Sequence, residues 1–239
     1  MPQRLLICLL AFTLAARADD IQGLVIPFKL VSVSSPVLQE VIDHVLVEEG
    51  DAVKEGQILV ELRREKEELE VRQAEQVVQQ RTFTANGAQK LWAEKIGSKE
   101  TAMEKQTELE LAKIQLAAAQ VRLKEKSIRA PLSGTVVKKY KEAGEAVDRV
   151  EKLLDVVNID RVYVQFYLDP KLMQTIKQDV EVPVRFAVIG DPEFNGRVSF
   201  IDPRIDAGSG LFRVKVLIDN GDHKIKAGMR GTVDFAKLK

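Results

Sequence analysis

The sequence predicts a mixed α and β fold, in which a β-domain is split by an inserted α-helical coiled-coil hairpin and is followed by a small β-barrel or sandwich. Three observations predict it. A short β-like sequence occurs twice, a long helical segment separates the copies, and short alternating strands follow the second copy. The 239 residues suffice for one large or two small domains.

The repeated unit reads VEEGDAVKEGQILVEL at residues 47–62 and KEAGEAVDRVEKLLDVV at residues 141–157. When Gly50 is aligned with Gly144, the copies lie 94 residues apart. Valine and isoleucine dominate, and glycine and proline separate them into short bursts, which is typical of strands and turns. We therefore predict two halves of one domain that fold against each other, because each half alone has too few strands for a core.

The segment between the copies is predicted to form a pair of helices. Proline is absent from Arg64 to Lys126, and glutamate, glutamine, lysine and alanine predominate. In each arm, residues spaced alternately by three and four positions predict the face that packs on the other arm. These residues are Val71, Ala74, Val78, Arg81, Ala85, Ala88 and Trp92 in the first arm, and Leu109, Ala112, Leu116, Ala119 and Leu123 in the second.

Two turns are conceivable in this hairpin, at Asn86–Gly87 and at Ile96–Ser98. Arms that start and end at one domain should have similar lengths, which favours Ile96–Ser98 with arms at 64–95 and 99–127. Gly97 is then the predicted helix C-cap and Ser98 the N-cap of the next helix. Gly87 lies inside the first helix, at a cost of about 1 kcal/mol relative to alanine.

A second apolar stripe follows the second arm. One stripe can pack on the first arm and leave the other for a neighbouring hairpin, or both can form one wide face buried within a single hairpin. The residues of this second stripe are Leu111, Ile114, Ala118 and Val121.

The N-terminus is predicted to be a secretory signal peptide at residues 1–18. Arg4 precedes twelve mostly apolar residues, and Ala16-Arg17-Ala18 is a small-x-small cleavage pattern. The apolar run is shorter than the roughly 20 residues that span a bilayer; a retained anchor is the alternative. The only cysteine, Cys8, lies in this segment, so the exported chain is predicted to have no disulfide or thiolate.

Composition argues against several classes of function. The 36 basic and 36 acidic residues cancel and aromatic residues make up 5%, so we predict no nucleic-acid partner. His44 and His223, the only histidines, lie in different predicted domains, so no metal site is expected. The motifs of nucleophilic, phosphate-binding and dinucleotide sites are absent from the sequence, which predicts neither an enzyme nor a cofactor.

The order of half, hairpin, half and strand-rich region resembles the HlyD-like membrane-fusion proteins, the periplasmic adaptor subunits of tripartite efflux systems. The matching stretches are the two repeats, IRAPLSGTVVKKYKEAGEAV, and NGRVSFIDPRIDAGSGLFRVKVLIDNGDHKIKAGMRGTVDF. The resemblance implies a split biotinyl-lipoyl-like β-domain and a β-barrel. The implied domains are an N-terminal strand region at 19–33 that joins the barrel, lipoyl-like halves at 34–62 and 128–157, the hairpin at 63–127 and the barrel at 158–239.

The sequence departs from the family pattern in two places. Glu40 stands where the second copy has Gly134 and the family usually has glycine, so a locally altered turn is expected. Many members continue into a membrane-proximal domain after the barrel. That domain is not expected here, which implies a smaller or different contact with the transporter.

The resemblance implies a periplasmic adaptor, peripheral to the inner membrane, that links an inner-membrane exporter of the proton-driven RND type to a TolC-like outer-membrane channel. A homo-oligomeric ring of six copies is implied. The alternatives are an adaptor of an ATP-driven exporter, an envelope coiled-coil scaffold without transport, and a carrier protein of an enzyme complex.

The hairpin tip is the part that the resemblance assigns to the channel. Adaptors of TolC-like channels carry arginine, then leucine four residues on, then serine seven residues beyond. Leu91 and Ser98 have the right separation, the arginine position is Gly87, and Lys90 is near but off the matching face. Alternatively, Leu91 belongs to the hairpin core and Ser98 is only an N-cap.

Overall fold

The computed structural model describes residues 21–190 and 192–235, so the predicted signal peptide lies outside the described residues. This part of the chain contains twelve strands, and two long consecutive helices lie between the fourth and the fifth. In order they are β1 (Ile21–Ser34), β2 (Glu40–Val45), β3 (Ala52–Val53), β4 (Ile58–Leu62), α1 (Glu65–Ala93), α2 (Lys99–Glu125), β5 (Ser127–Arg129), β6 (Gly134–Lys139), β7 (Ala146–Val147), β8 (Lys152–Leu168), β9 (Glu181–Arg185), β10 (Glu193–Ile205), β11 (Phe212–Asp219) and β12 (Arg230–Val233). The predicted mixed α and β class is confirmed.

The chain divides into two compact units. Residues Lys29–Asn158 form the first, here called the split unit, which contains the hairpin. The described residues up to Phe28 and those from Ile159 onward form the second, here called the barrel unit. The finer domain boundaries predicted above stay a prediction.

The two copies of the repeat form matching strands in the split unit. The strands β2, β3 and β4 begin 94 residues before β6, β7 and β8, respectively. The copies exchange partners, since β2 pairs with β7 through Glu40 and Val147, and β3 pairs with β6 through Val53 and Gly134. Apolar residues of both copies share one core, which includes Leu59, Leu62, Leu153 and Val156. Each half therefore supplies strands that the other lacks.

The predicted altered turn at Glu40 is present. Gln39 has a φ of 51°, and Pro36 is one residue farther from Glu40 than Pro131 is from Gly134. At Gly134 a Cβ would lie 2.2 Å from the carbonyl oxygen of Val157, so that position requires glycine. In the first copy the chain leaves for the hairpin after Leu62, and a longer side chain has room.

Glu40 uses this room to bind the base of the hairpin. Its carboxylate pairs with the ammonium group of Lys126, which also lies 3.2 Å from Glu67. The Lys126 side chain is only 6% exposed. Burial works against its charge, but the hydrogen bonds that the ammonium group donates to Glu40 and Glu67 outweigh burial, and the pKa of Lys126 is raised. These three residues, the hairpin-base triad, connect β2 with the start of α1 and the end of α2.

The turn of the hairpin lies where the length argument predicts it. The Ser98 side chain accepts a hydrogen bond from the Glu100 amide and caps α2. The prediction that Gly97 is the C-cap is wrong, because the left-handed residue after α1 is Lys95, with a φ of 61°. Gly97 lies against Leu91 instead: its amide donates to the Leu91 carbonyl, and a Cβ would come within 3.1 Å of the Leu91 Cβ.

The two arms pack through the predicted faces, here called the seam. Ala85 of α1 and Leu109, Ala112 and Ala119 of α2 are buried. Arg81, the one polar member of the predicted set, pairs across the seam with Glu108 at 2.8 Å. The inclusion of Trp92 is wrong: the residue is 39% exposed, one position before the end of α1.

The barrel unit is a ring of six strands. Hydrogen-bonded neighbours follow the order β1-β12-β9-β10-β11-β8, and β1 also pairs with β8. Closure leaves the ring without an open edge. The interior is filled by valines and phenylalanines, among them Phe166, Phe186, Phe212 and Phe235. Of the alternatives from strand spacing, the barrel is therefore confirmed.

Candidate docking surfaces of the hairpin

The second apolar stripe of α2 lies on the opposite side of the helix from the seam. Leu111 follows Leu109 by two residues, and two residues turn an α-helix by roughly 200°. In the described chain Leu111, Ile114 and Val121 are 56%, 64% and 56% exposed, and Ala118 is also exposed. The alternative of one wide face buried within a single hairpin is therefore wrong.

A matching feature of α1 escaped the sequence analysis. Leu69 and Phe83 are 60% and 82% exposed. They are two heptads apart, so they lie along one line of the helix surface in a coiled coil. Both residues are apolar and lie outside the predicted seam. The residue midway between them on the same line is Gln76, so the sequence shows no continuous apolar stripe there.

The tip residues are exposed as well. Leu91 is 48% exposed, so it does not belong to the hairpin core, and Lys90 is exposed beside it. Ser98 follows Gly97, whose amide binds the Leu91 carbonyl at 2.9 Å, so the turn brings Leu91 and Ser98 into the same region. Ile96, 73% exposed, adds an apolar side chain that was not predicted.

Charged pairs lie along the hairpin from its base towards its tip. Arg122 of α2 donates to Glu70 of α1 at 3.0 Å. Nearer the tip, Lys105 donates to Glu108 at 2.7 Å, and this bond is the main cause that lowers the pKa of Glu108 and raises that of Lys105. The Arg122–Glu70 and Arg81–Glu108 pairs connect the two arms, whereas Lys105–Glu108 lies within α2. Together with the buried seam, they carry the exposed stripe and tip on a rigid element.

Each of the two histidines lies beside one aspartate. Among the residues that the structure describes, no three histidine, cysteine, aspartate or glutamate side chains converge as metal ligands. His44 lies 3.2 Å from Asp43, and His223 lies 2.9 Å from Asp160.

Neither α1 nor α2 combines the length and hydrophobicity that crossing a bilayer requires.

Comparison with protein families decides what this arrangement is. A model described as the CzcB-like, barrel-sandwich hybrid domain matches residues 29–158, and one described as the CusB-like, beta-barrel domain matches residues 161–239. The chain belongs to the CzcB-like barrel-sandwich hybrid family. The resemblance to membrane-fusion adaptors is thereby confirmed, together with the lipoyl-like character of the split domain.

Curated relatives of this adaptor are distant and longer. Nodulation protein NolF of Rhizobium meliloti is 25% identical over 227 residues, which are 87% of this chain and 60% of that protein. Cation efflux system protein CzcB of Alcaligenes sp. is 23% identical over 214 residues, 83% of this chain and 41% of that protein. The adaptor thus spans 60% or less of the length of these two relatives.

Solved structures share the fold of the adaptor. A MacA–MexA chimeric protein, with the Pseudomonas aeruginosa MexA α-hairpin domain, superposes with a TM-score of 0.80 at 17% identity, covering 92% of this chain and 81% of that one. The membrane fusion protein Spr0693 of Streptococcus pneumoniae R6 gives 0.72 at 18% identity, with 90% and 97% covered. At these identities the likeness concerns the fold.

Proposed function

We propose that this chain is the periplasmic adaptor of an RND-type exporter, joining an inner-membrane transporter to an outer-membrane channel. Its family consists of membrane-fusion adaptors, and its barrel matches the CusB-like model. A relative is named for cation efflux. The role is mechanical: the chain binds partners and catalyses no reaction. Export by residues 1–18 and a position at the periplasmic side of the inner membrane belong to the same proposal.

The observation that carries this proposal is the exposed stripe of Leu111, Ile114, Ala118 and Val121. The arms of one hairpin already bury the seam, so the stripe is available to another helix. Exposed apolar residues at helical spacing on a rigid hairpin fit the lateral packing of neighbouring hairpins. A ring of six copies would use the stripe to close a tube of hairpins.

The tip completes the proposal. Lys90, Leu91 and Ser98 meet the end of a TolC-like channel, with Leu91 packed between channel helices and Ser98 next to the turn. The exposure of Leu91 and Ile96 at the point farthest along both arms supports this assignment. Gly87 leaves the family's arginine contact unmade, so the apolar contact carries more of the binding.

A pair of charge-matched variants tests the assembly. Ile114→Glu places a carboxylate in the stripe, and Gln115→Glu places the same charge on the adjacent, also exposed position. We expect amine cross-linking of intact cells to give a ladder of up to six copies for the native chain and for Gln115→Glu. Ile114→Glu should lose the ladder and the protection of a deletion strain against toxic compounds.

Both variants should keep the helicity and the thermal midpoint of the native protein, because both side chains are exposed. Equal ladders for Ile114→Glu and Gln115→Glu would contradict the assignment of the stripe to neighbouring copies.

A further inference from the structure

A cavity of the barrel unit lies where β10 and β11 approach their connecting loop. Its volume is about 760 Å³, within the range of small-molecule sites. Tyr167, Ile205 and Leu211 give it an apolar wall, and Asp202, Arg204 and Arg213 supply charged groups. Tyr167 and Ile205 are about half exposed, so the cavity is open to solvent.

Asp202, Arg204 and Arg213 form a hydrogen-bonded cluster in the wall of the cavity. The Asp202 side chain is 8% exposed and accepts from the Arg204 amide, from the Arg204 Nε and Nη2, and from the Arg213 Nη2 at 3.0 Å. Hydrogen bonds from Arg204 outweigh burial and hold the pKa of Asp202 at about 2. The Asp202 carboxylate therefore faces two guanidinium groups.

Arg213 has donor capacity that Asp202 does not use. Its Nε is buried and has no hydrogen-bond partner among the described residues. Both oxygens of Asp202 already accept hydrogen bonds from Arg204, so Asp202 is poorly placed to satisfy it. A buried N–H without an acceptor is rare in native proteins and calls for an explanation. An acceptor on a bound molecule provides one, because a guanidinium binds a carboxylate with two parallel hydrogen bonds.

We propose that this cavity binds a carboxylate carried on an apolar body. The Arg213 guanidinium donates to the carboxylate after a small rotation that exposes Nε, and Tyr167, Ile205 and Leu211 contact the apolar part. Such a group exists in free organic acids and in an acidic side chain flanked by apolar residues on a partner protein. The site lies within the barrel unit and stands independently of the hairpin surfaces.

A positively charged ligand is the chemical competitor, because Asp206 also lines the cavity. Its carboxylate already accepts from the Ser209 amide and hydroxyl, both at 2.8 Å. Both of these bonds go to Oδ1 of Asp206. The unpartnered Nε of Arg213 is the observation that favours an anion, and the titration with benzylamine tests the competitor.

Nuclear magnetic resonance can observe the proposed donor directly. We would titrate the ¹⁵N-labelled full chain with benzoate and, separately, with benzylamine, and follow the Nε–Hε signal of Arg213 in ¹⁵N–¹H spectra. Benzoate should shift this signal saturably, and benzylamine should not. A peptide, acetyl-Leu-Asp-Leu-Phe-amide, forms the second arm: tighter binding than benzoate would identify a protein segment as the source, and weaker binding a free acid.

Two variants connect the binding to Arg213. Arg213→Lys keeps the charge but removes the forked donor. We expect the affinity for benzoate, measured from backbone amide shifts, to fall at least tenfold. Arg197→Lys, on the same unit but outside this cavity, is the matched control and should retain the affinity. Saturable binding of benzylamine, no saturation with benzoate or the peptide, or equal benzoate affinity in both variants would overturn the proposal.

Discussion

Among single residues, Val150 adopts a backbone conformation that suits glycine better than valine. It has a φ of 68°, and the matching residue of the first copy, Gly56, has a φ of 80°. A β-branched residue in this region is strained by about 1–3 kcal/mol. Val150 is 74% exposed, so its side chain gains little from burial.

We therefore expect Val150→Gly to raise the free energy of unfolding by about 1 kcal/mol, since the relief of strain exceeds the entropy cost of glycine. Urea unfolding should show a higher midpoint at an unchanged slope. The reverse change at the matching position, Gly56→Val, should lower the free energy by at least as much. A stabilising Gly56→Val would contradict the interpretation.

Asp202 gives a prediction about acid stability. Its pKa in the folded chain is about 2, below the ordinary aspartate value of roughly 3.9. Between these two values the unfolded chain binds more protons, so its contribution to stability is present above pH 4 and is lost as the pH falls to 2. In Asp202→Asn, the unfolding midpoint in urea should depend less on pH over this interval. An unchanged pH dependence would argue against the paired carboxylate.

At the residue scale, local chemistry was predictable and long-range contacts were not. Ser98 could be assigned as an N-cap because capping depends on neighbouring residues alone. The role of Gly97 could not, since its closeness to Leu91 depends on how the turn folds back. Arg81 stood out as a polar residue in an apolar pattern, but its partner Glu108 lies on the other arm.

At the scale of elements, the hairpin-base triad determines how the two helices join the β-strands. Lys126→Met leaves Glu40 and Glu67 as largely buried carboxylates without their cation. Breaking a buried ion pair by removing one partner costs about 3–5 kcal/mol, and we expect about 3 kcal/mol here because Glu40 is partly exposed. Chemical unfolding followed by circular dichroism measures the loss.

Lys124→Met, at an exposed position on the same helix end, is the control and should change stability little. The triple variant Lys126→Met, Glu40→Gln and Glu67→Gln should regain most of the stability, since no uncompensated charge remains. If the triple variant is as unstable as Lys126→Met, the loss comes from packing and the electrostatic account fails.

Elements were the most predictable level of the structure. The 94-residue offset of the repeat placed the matching strands, and the three-and-four spacing placed the seam. The hairpin-base triad could not be predicted from these patterns. Glu40 was recognised only as a residue that replaces the family's glycine. Its partners, Glu67 and Lys126, lie in a helical segment rich in charged residues, where sequence alone does not distinguish a buried lysine from an exposed one.

For the whole molecule, the proposed channel contact predicts a functional loss without a structural one. Leu91→Asp changes a half-exposed residue at the tip, so helicity and thermal midpoint should be retained while export fails. Resistance of a complemented deletion strain to toxic compounds is the measure. Ser98→Asp keeps the helix cap, so it changes the channel contact without the loss of capping. Ser98→Arg would also remove the cap and lower the stability by about 1 kcal/mol. Normal export with folded Leu91→Asp would exclude the assignment.

The exchange of strands between the two copies also affects the order in which the chain can fold. Until β6 and β7 are in place, β2 and β3 lack partners, and a chain in this state is open to aggregation or to chaperone binding. Helices form within microseconds. We expect the hairpin to fold first and to bring β5 beside β4, which replaces the closure of a long flexible loop by a local step.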